Sequence, residues 1–494
     1  MDGGWAELHP WRIDRRAAEP LFRQIYAELR GAIAARTLAP GARLPSTREL
    51  AARLGVSRAS AVAAYEQLAA EGWIEGRTGS GAYVSADLPA PFAAAEAPAP
   101  DAPMRYAPDP ERPFAQLKAA GESGEPPFIG GLALMDARSQ DVWRRLTHRS
   151  VRRLSPVHFG YTDPRGLPEL RQALADYLRG ARGLKCAPEQ VLVTSGTQHA
   201  VDLASRLLLA PGDEVWVEDP SYPMTFKTLA AAGLRTIPVP VDEQGLVVAE
   251  GVRRAPRARA VVVTPSHQYP TGAVLSMGRR AELLAWAREA DAWIVEDDYD
   301  SELRFRGRPL AALQGLDEAG RVIYVGTLNK SLFPGLRIGC LVAPWSLLGR
   351  FVDARHIADR QPPTLTQTVV SGFIAEGHLA AHFRRLRQLY RRNQDAVIEA
   401  LAPAVEAAGG RIPLPDQGNH LVAWLPDGFD DVALERAARA EGVVSRALSR
   451  LYLEAPPRPG LMLGFTGFRP EQLRAPAQRL AELVAASPRP RLSC

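Results

Sequence analysis

Short apolar runs that alternate with helical patterns are the feature that most constrains the fold of this chain. They occupy the sequence after about residue 126, and each run is apolar on both faces over only a few residues. The five clearest runs are Val191–Thr194, Glu214–Val217, Ala260–Val263, Trp293–Val295 and Val322–Val325. Such strands are buried on both sides, and helical patterns between them indicate crossover connections. We therefore predict an α/β fold, a mainly parallel sheet with helices on both faces, followed by a smaller α+β part.

A lysine and an acidic cluster follow two of these runs. Val322–Val325 leads into the loop that carries Lys330, and Trp293–Val295 leads into the cluster Glu296–Asp300. A lysine amine can form a Schiff base with pyridoxal 5′-phosphate (PLP), and a carboxylate can hold the pyridine nitrogen of PLP protonated. The two loops together predict a PLP site.

Polar or aromatic residues follow the other strand-like runs as well. Ser195, Gly196 and Thr197 open a helix, where backbone N–H groups and two hydroxyls could hold a phosphate. Tyr222 follows the next run, and the turn Ser266–Gly272 follows the one after it. Because loops after parallel strands gather at one edge of the sheet, where ligands bind in such folds, we expect these residues to share a site.

Each of these features also has an ordinary structural explanation. Ser195–Thr197 could cap a helix without binding anything, Tyr222 could belong to a turn, and lysines and acidic clusters usually face solvent. Five converging loops nevertheless bring an amine, an acid, a phenol, a phosphate cup and the guanidinium of Arg337 to one edge of the sheet. That convergence favours the cofactor site.

Residues 12–86 carry the pattern of a small DNA-binding unit. Ser46 and Glu49 form a capping box that opens a short helix, Gly55 ends this helix, and Ser57 opens the next one. Two short strand-like runs joined by a Gly-rich turn follow. This order fits a winged helix-turn-helix, in which the third helix enters the major groove and the hairpin, or wing, meets the phosphate backbone.

The residues that we expect to contact double-stranded DNA lie at the helix starts and on the wing. They are Arg48, Ser57, Arg58, Ser60, Arg77 and Ser80. An alternative is a small helical oligomerisation module with solvated arginines, since the net charge of this segment is only slightly positive.

Residues 87–125 separate the two patterns. Prolines are spread among alanines in this stretch, and such a composition cannot bury a core. We therefore predict a DNA-binding domain at 1–86, a linker at 87–125 and a cofactor-binding domain at 126–494. Within the last domain, a large part should span about 165–346 and a small part about 347–494.

Composition limits the compartment and the partners. A net charge of +5 with a pI near 9.2 permits a polyanionic partner without requiring one. The 3 cysteines show neither metal-ligand nor disulfide spacing, which suits a reducing cytosol. The sequence shows no signal pattern and no apolar run long enough to span a membrane. We therefore expect a cytoplasmic protein without a metal site or a membrane contact.

Four short segments of the N-terminal unit carry a family resemblance. They are Leu44–Ala51, Leu54–Arg58, Tyr65–Leu68 and Gly79–Gly81. In combination they resemble the GntR class of winged-helix regulators, which implies sequence-specific binding to double-stranded promoter DNA. One departure is Ala59–Val62, where the class often has a longer polar residue and a threonine, and small side chains there give little basis for predicting base contacts.

A second resemblance covers about residues 145–470. It includes Tyr161–Gly166 followed by Glu169–Arg171, together with the lysine loop. This part is similar to the fold type I, class I aminotransferases, which depend on PLP. The resemblance implies that Lys330 forms the Schiff base and that Asp297 pairs with the protonated pyridine nitrogen.

The same resemblance implies the remaining cofactor contacts. Tyr299 would bond the ring hydroxyl, and Tyr222 would stack on the ring. The phosphate would be held by Ser195, Gly196, Thr197, Thr327 and Arg337. Tyr161 would reach the phosphate in the neighbouring subunit, so the active unit would be a homodimer.

Two departures from the aminotransferase pattern bear on function. The family usually has asparagine where this chain has Tyr269, so His267 or Gln268 is left to bond the ring oxygen. Enzymes of the family also carry an arginine near the C-terminus for the substrate carboxylate, and the matching stretch Leu461–Thr466 has none. The nearest arginines in sequence, none at the family position, are Arg446, Arg450 and Arg458. Loss of a charge-assisted carboxylate contact disfavours amino-acid turnover and favours sensing.

Three segments of the C-terminal unit point to one subfamily. They are Ser266–Gln268, Glu296–Glu302 and Leu332–Arg337. With the winged helix and the linker, they resemble the MocR subfamily of GntR regulators over nearly the whole chain. The resemblance implies a bacterial PLP-binding transcriptional regulator. PLP, or its adduct with an amine or amino-acid effector, would shift a dimer between states of different DNA affinity.

Two other functions stay open from the sequence. One is a working aminotransferase with a secondary DNA-binding domain, and an intermediate case would condense PLP with an amine, or complete half-reactions, without full turnover. The other is an interaction scaffold that no longer binds PLP, for which Lys330→Ala would have no visible absorbance to remove.

Overall fold

The computed structural model describes residues 11–77, 81–86, 126–307 and 310–488. Internal contacts divide the chain into two units, Met1–Ala107 and Pro108–Cys494, and each is described by itself. The N-terminal unit contains three helices and an antiparallel hairpin. Their bounds are α1 Leu21–Ala34, α2 Thr47–Leu54, α3 Arg58–Ala70, β1 Ile74–Arg77 and β2 Gly81–Val84. This order is that of a winged helix-turn-helix, as predicted.

Local capping sets the helix-turn-helix geometry. The Ser46 hydroxyl accepts a hydrogen bond from the backbone N–H of Glu49 at 3.1 Å, and Ser57 does the same for Ser60 at 3.1 Å. Gly55 ends α2 in the left-handed conformation, with φ of 60°, which glycine adopts without strain. The three helices then pack around one apolar core.

The C-terminal unit is built on an eight-stranded sheet. Its strands are β3 Val191–Thr194, β4 Glu214–Asp219, β5 Arg235–Asp242, β6 Gly245–Leu246, β7 Ala260–Val263, β8 Trp293–Asp298, β9 Val322–Thr327 and β10 Gly339–Val342. Their order is β3-β10-β9-β8-β7-β4-β5-β6. The pairs β9–β8, β8–β7, β7–β4 and β4–β5 are parallel, while β10 runs antiparallel to both neighbours and β6 runs antiparallel to β5. The mainly parallel sheet is confirmed.

Helices cover both faces of this sheet. They are α4 Ala137–Arg152, α5 Pro156–Phe159, α6 Pro168–Arg182, α7 Thr197–Leu208, α8 Pro223–Ala231, α9 Val248–Arg254, α10 Met277–Glu289, α11 Leu313–Leu316, α12 Leu348–Asp359 and α13 Thr364–Ala375. Successive strand residues face opposite sides, so Val193 packs with Leu170 of α6. Leu192 packs instead with Ala200 of α7 and Phe351 of α12.

A smaller three-stranded antiparallel sheet and its helices complete the unit. The elements are α14 His378–Ala407, β11 His420–Trp424, α15 Asp431–Ala440, β12 Arg446–Ala447, β13 Gly460–Gly464 and α16 Pro470–Ala486. Strand β13 lies between β11 and β12. Short 3-10 turns occur at Pro188–Gln190, Pro334–Leu336, Trp345–Leu347 and Ser449–Leu451. In the described part of the chain, every helix is too short or too polar to cross a membrane.

Strand direction determines where the polar loops lie. Because β10 is antiparallel to both β3 and β9, strand β3 points the same way as β9, β8, β7 and β4. The carboxyl ends of these five strands therefore lie at one edge of the sheet, and the loops singled out from the sequence follow them. The predicted domain boundaries stay predictions.

Candidate functional site

A cavity of about 350 Å³ lies at this edge of the sheet. Eight of the residues predicted to bind the cofactor or to act on it line the cavity: Gly196, Thr197, Tyr222, Asp297, Tyr299, Thr327, Lys330 and Arg337. Three others, Ser195, His267 and Tyr161, are not among its lining residues. The wall opposite the sheet includes residues of the smaller sheet and of α15, and one side is closed by the segment Phe128–Gly131.

The amine of Lys330 faces the cavity from a tightly bonded turn after β9. Its Nζ donates to the carbonyl of Gly131 at 3.4 Å, a residue 199 positions away in the sequence. Asn329 fixes the turn, since its Nδ2 donates to the Ser195 carbonyl and its Oδ1 accepts from the Ile338 N–H. Burial, together with the positive charge of Arg337, lowers the pKa of Lys330. A lowered pKa favours the neutral, nucleophilic amine.

Asp297 presents a carboxylate oxygen that the protein itself leaves without a partner. Its Oδ1 is buried and has no hydrogen bond. Burial raises the pKa of this carboxyl to about 8, and the nearby carboxylates of Asp298, Glu218 and Asp300 act in the same direction. A buried polar atom without a partner costs free energy, so its position in the cavity suits a ligand that donates a hydrogen bond or carries positive charge. The protonated nitrogen of PLP is such a group.

The start of α7 and two further side chains form an anion-binding corner. Gly196 precedes α7 with φ of 133°, and a Cβ there would come within 2.7 Å of Asn329 Nδ2. The N–H groups in the first turn of α7, with Thr327 and Arg337 on the same cavity, suit a phosphate. The Ser195 N–H donates to His199 Nδ1 at 3.2 Å, so this amide is already used. The role of Ser195 as a phosphate contact stays a prediction.

His267 lies beside Tyr299 and is not among the residues that line the cavity. Its Nδ1 lies 2.9 Å from Asp300 Oδ2 and 3.0 Å from the Tyr299 hydroxyl, so the ring supports Tyr299 rather than lining the cavity. Gln268 is engaged in its own turn, where it donates to the Pro220 carbonyl at 2.8 Å and accepts from Thr271. Contact of either side chain with the cofactor ring therefore stays a prediction, while the bond to Tyr299 places His267 directly behind that residue.

Two histidines and an aspartate form a buried polar group next to Tyr299. One potential ligand atom each from His267, Asp300 and His420 lies within 4.8 Å of the others. Both ring nitrogens of His420 already meet oxygens, from Asn419 at 3.0 Å and Pro270 at 2.9 Å. Burial lowers the pKa of His420 to about 3. His420 is therefore a neutral ring whose nitrogens are already occupied by protein oxygens.

Tyr269 and Arg446 are cavity residues whose role the sequence did not show. Tyr269 packs edge-to-face on Tyr222, with ring centroids 5.1 Å apart. The Tyr269 hydroxyl accepts a hydrogen bond from Arg446 Nη1 at 3.1 Å. The stretch 461–466, in which the sequence lacks the family's carboxylate arginine, begins on β13, where Met462 lines the cavity and pairs with Arg446.

On the N-terminal unit, the predicted DNA contacts fall into two groups. Arg48, Arg58 and Arg77 are exposed, although Arg77 also pairs with Glu75 at 2.8 Å. The hydroxyls of Ser57 and Ser60 lie 2.9 Å apart, within the cap of α3. Ser80, predicted on the wing, lies outside the described residues.

Comparison with protein families finds two matches that share the chain. Residues 21–84 match bacterial regulatory proteins of the gntR family. Residues 133–462 match aminotransferase class I and II. The two matches correspond to the winged helix and to the unit that contains the cavity.

Curated relatives combine both parts. The chain is 41% identical to the probable rhizopine catabolism regulatory protein MocR of Rhizobium meliloti, over 94% of this chain and 93% of that protein. It is 32% identical to the pyridoxine biosynthesis transcriptional regulator PdxR of Corynebacterium glutamicum, over 94% and 95% of the two chains. Among solved structures, Pyrococcus horikoshii kynurenine aminotransferase, in complex with PMP, matches with a TM-score of 0.67 and 27% identity, covering 75% of this chain and 95% of that one.

Proposed function

This chain belongs to the MocR-type regulators, which join a GntR DNA-binding domain to an aminotransferase-like domain, and we propose that the second domain binds PLP to sense an amine. The observation that carries this proposal is the shared cavity of Lys330 and Asp297, where the buried Oδ1 of Asp297 has no partner in the protein. The class I and II aminotransferase family itself implies PLP dependence.

Different cavity residues would hold different parts of the cofactor. Asp297 would accept the pyridine N–H, Tyr222 would stack on the ring, and Tyr299, oriented by His267, would bond the ring hydroxyl. The phosphate would lie at the start of α7 near Ser195, Gly196 and Thr197, with Thr327 and Arg337. When bound, PLP supplies an aldehyde that condenses with primary amines and a ring that accepts electrons. Lys330 would be the point of covalent attachment.

Large exposed apolar side chains on the C-terminal unit support a homodimer. Phe159, Tyr161 and Ile357 are 79%, 78% and 85% exposed. The guanidinium of Arg360 lies 3.7 Å from the centroid of the Tyr161 ring. Apolar groups exposed together mark interaction surfaces. We propose that these side chains meet a second copy and that Tyr161 reaches the phosphate site of the partner.

The GntR-type unit is a DNA-binding domain. We place α3 in the major groove of promoter DNA, with Arg48, Ser57, Arg58 and Ser60 near the helix starts and Arg77 and Ser80 on the wing. Contacts with phosphates dominate such affinity, so binding should weaken steeply with salt. PLP or its amine adduct would alter this affinity by binding one state of the dimer better than the other, inside a bacterial cytoplasm.

The decisive experiment is a titration of the purified cofactor-free protein with PLP. Wild type should acquire visible absorbance, Lys330→Ala should not, and Lys185→Ala, an exposed lysine outside the cavity, should behave as wild type. Fluorescence anisotropy of a DNA fragment from upstream of the adjacent gene should then show a PLP-dependent affinity in wild type only. A wild-type protein that gains no absorbance would exclude PLP sensing.

The DNA contacts are tested separately. Arg48→Ala with Arg58→Ala should lower the affinity for that fragment by about 100-fold, since each lost contact costs about 1–3 kcal/mol. Arg23→Ala, an exposed arginine of α1, is the control. Unchanged binding by the double variant would contradict the placement of α3 in the groove.

The alternative of sustained turnover is favoured by the same lysine and aspartate. It is distinguished by mixing PLP-loaded protein with an amino donor and a keto acid. A single spectral change without product accumulation supports a sensor, whereas continuous product formation supports an aminotransferase.

A further inference from the structure

The smaller sheet carries an arginine to the cavity from an unexpected strand. In the antiparallel pairing of β12 with β13, Arg446 lies directly opposite Met462. Residues that face each other across two antiparallel strands project from the same side of the sheet. Both line the cavity. The stretch 461–466 lacks an arginine. The neighbouring strand β12 supplies one at the position paired with Met462.

The guanidinium of Arg446 is held beside the proposed ring site. Its Nη1 donates to the Tyr269 hydroxyl at 3.1 Å, and the Tyr269 ring packs on the edge of Tyr222. Tyr222, which we propose stacks on the cofactor, also lines the cavity. A guanidinium has five N–H donors, so one bond to a phenol leaves donors for a ligand.

The charges around Arg446 favour an anionic group. Glu435 lines the same cavity, but its Oε2 lies 3.5 Å from Arg450 Nη1, which offsets its charge. Arg439 also lines the cavity. The hydroxyl of Ser445, a lining residue only 3% exposed, has no hydrogen-bond partner among the described residues. Two guanidiniums and an unused hydroxyl donor form a surface for carboxylate or sulfonate oxygens.

We propose that Arg446 binds the anionic group of the effector, so that the sensed molecule is a primary amine that also carries a carboxylate or a sulfonate. This proposal rests on the proposed function, because the amine end of the effector would meet PLP. It assigns recognition to Arg446 of β12 and to Tyr269, in place of an arginine within the stretch 461–466.

The test compares amines that differ in their anionic group. Half-saturating concentrations of β-alanine, taurine and ethylamine are measured from the visible absorbance change of the PLP-loaded protein. In wild type, β-alanine or taurine should saturate at a concentration about tenfold below that of ethylamine. The better of these two identifies carboxylate or sulfonate as the preferred group. Arg446→Gln should raise the half-saturating concentration of that preferred amine about tenfold and leave the value for ethylamine unchanged.

Two further variants and a control keep the result interpretable. Arg446→Lys retains the charge and should recover part of the lost affinity, while Tyr269→Phe removes the bond that orients the guanidinium and should cost about threefold. Arg458→Gln is the matched control, because this guanidinium lies 4.5 Å from the centroid of the Trp424 ring and does not line the cavity.

The outcomes separate this proposal from the proposed function. If wild type takes up PLP but discriminates none of the three amines, or if Arg446→Gln weakens ethylamine as much as the anionic amines, the role of Arg446 is wrong while PLP binding stands. If wild type takes up no PLP at all, the proposed function fails and this inference fails with it.

Discussion

The two walls of the cavity differ in the kind of ligand group that their side chains could bind. The wall at the edge of the large sheet contains Lys330 with a lowered pKa and Asp297 with an oxygen that lacks a partner. The wall from the smaller sheet presents Met462 and, opposite it, Arg446, whose guanidinium is held by Tyr269. The first set suits the fixed chemistry of a cofactor, and the second suits the variable end of an effector. Cofactor binding and effector choice should therefore be separable by mutation.

The largest expected effect on the cofactor wall comes from Asp297→Asn. The amide cannot carry the charge that holds a protonated pyridine nitrogen, so the Kd for PLP should rise by about 100-fold. The preference for an anionic amine over ethylamine should stay unchanged at saturating PLP. Asp176→Asn, on the exposed side of α6, is the control. A change in amine preference would contradict the assignment of cofactor binding and amine choice to different walls of the cavity.

A smaller effect is expected from Gly131→Ala on the closing segment. An added Cβ would lie 2.5 Å from Lys330 Nζ, and the backbone has φ of +83°, a conformation that alanine disfavours. The Kd for PLP should rise about tenfold. Gly278→Ala is the matched control, since nothing lies within 4 Å of its added Cβ and no positive φ is involved. Equal Kd values for the two variants would contradict the close approach of Gly131 to the lysine.

A modest effect is expected when the support of Tyr299 is removed. His267→Phe keeps a ring but loses the bond to the Tyr299 hydroxyl, so the Kd for PLP should rise about threefold. The absorbance maximum of the bound cofactor should also shift, because the Tyr299 hydroxyl beside the ring hydroxyl would no longer be held by His267. A variant that loses all PLP binding would mean that His267 contacts the cofactor directly, as the sequence had predicted.

The smallest effect concerns stability without cofactor. Burial raises the pKa of Asp297 to about 8, so this carboxyl is protonated in the folded protein and ionised in the unfolded chain between its ordinary value and about 8. Its contribution to stability is therefore lost as the pH rises through this range. Asparagine cannot ionise, so the gain in Tm of Asp297→Asn over wild type should be about 4 °C larger at pH 9 than at pH 5. Thermal unfolding at both pH values checks this, and a constant difference in Tm would contradict the raised pKa.

The groups of the large-sheet wall could be brought together from the sequence for a physical reason. Each of these groups directly follows a strand, and strand direction alone places such groups at one edge. Lys330, Asp297, Tyr222 and Thr197 could therefore be assigned to one site from local pattern and family resemblance. Their presence on one cavity agrees with that assignment, while their individual contacts with PLP stay predictions.

The remaining parts of the site depend on pairings that the sequence does not state. Arg446 reaches the cavity through the register of β12 against β13, which is fixed by the packing of the smaller sheet. Gly131 meets Lys330 across 199 positions. His267 contacts Tyr299 from behind the residues that line the cavity, and residue type alone does not show this depth. A search for an arginine at the family position alone overlooks a guanidinium supplied by the adjacent strand.

The segment Phe128–Gly131 gives the cavity a direct link to the rest of the chain. Its carbonyl at Phe128 accepts a bond from the Gly464 N–H at 3.0 Å, and its other end meets the lysine amine. Only a short step of sequence separates this segment from the Pro- and Ala-rich stretch that leads back to the winged helix. The same short segment is therefore bonded at one end to strand β13 and at the other to the lysine amine. A ligand that displaces Gly131 would pull on the smaller sheet as well as on Lys330.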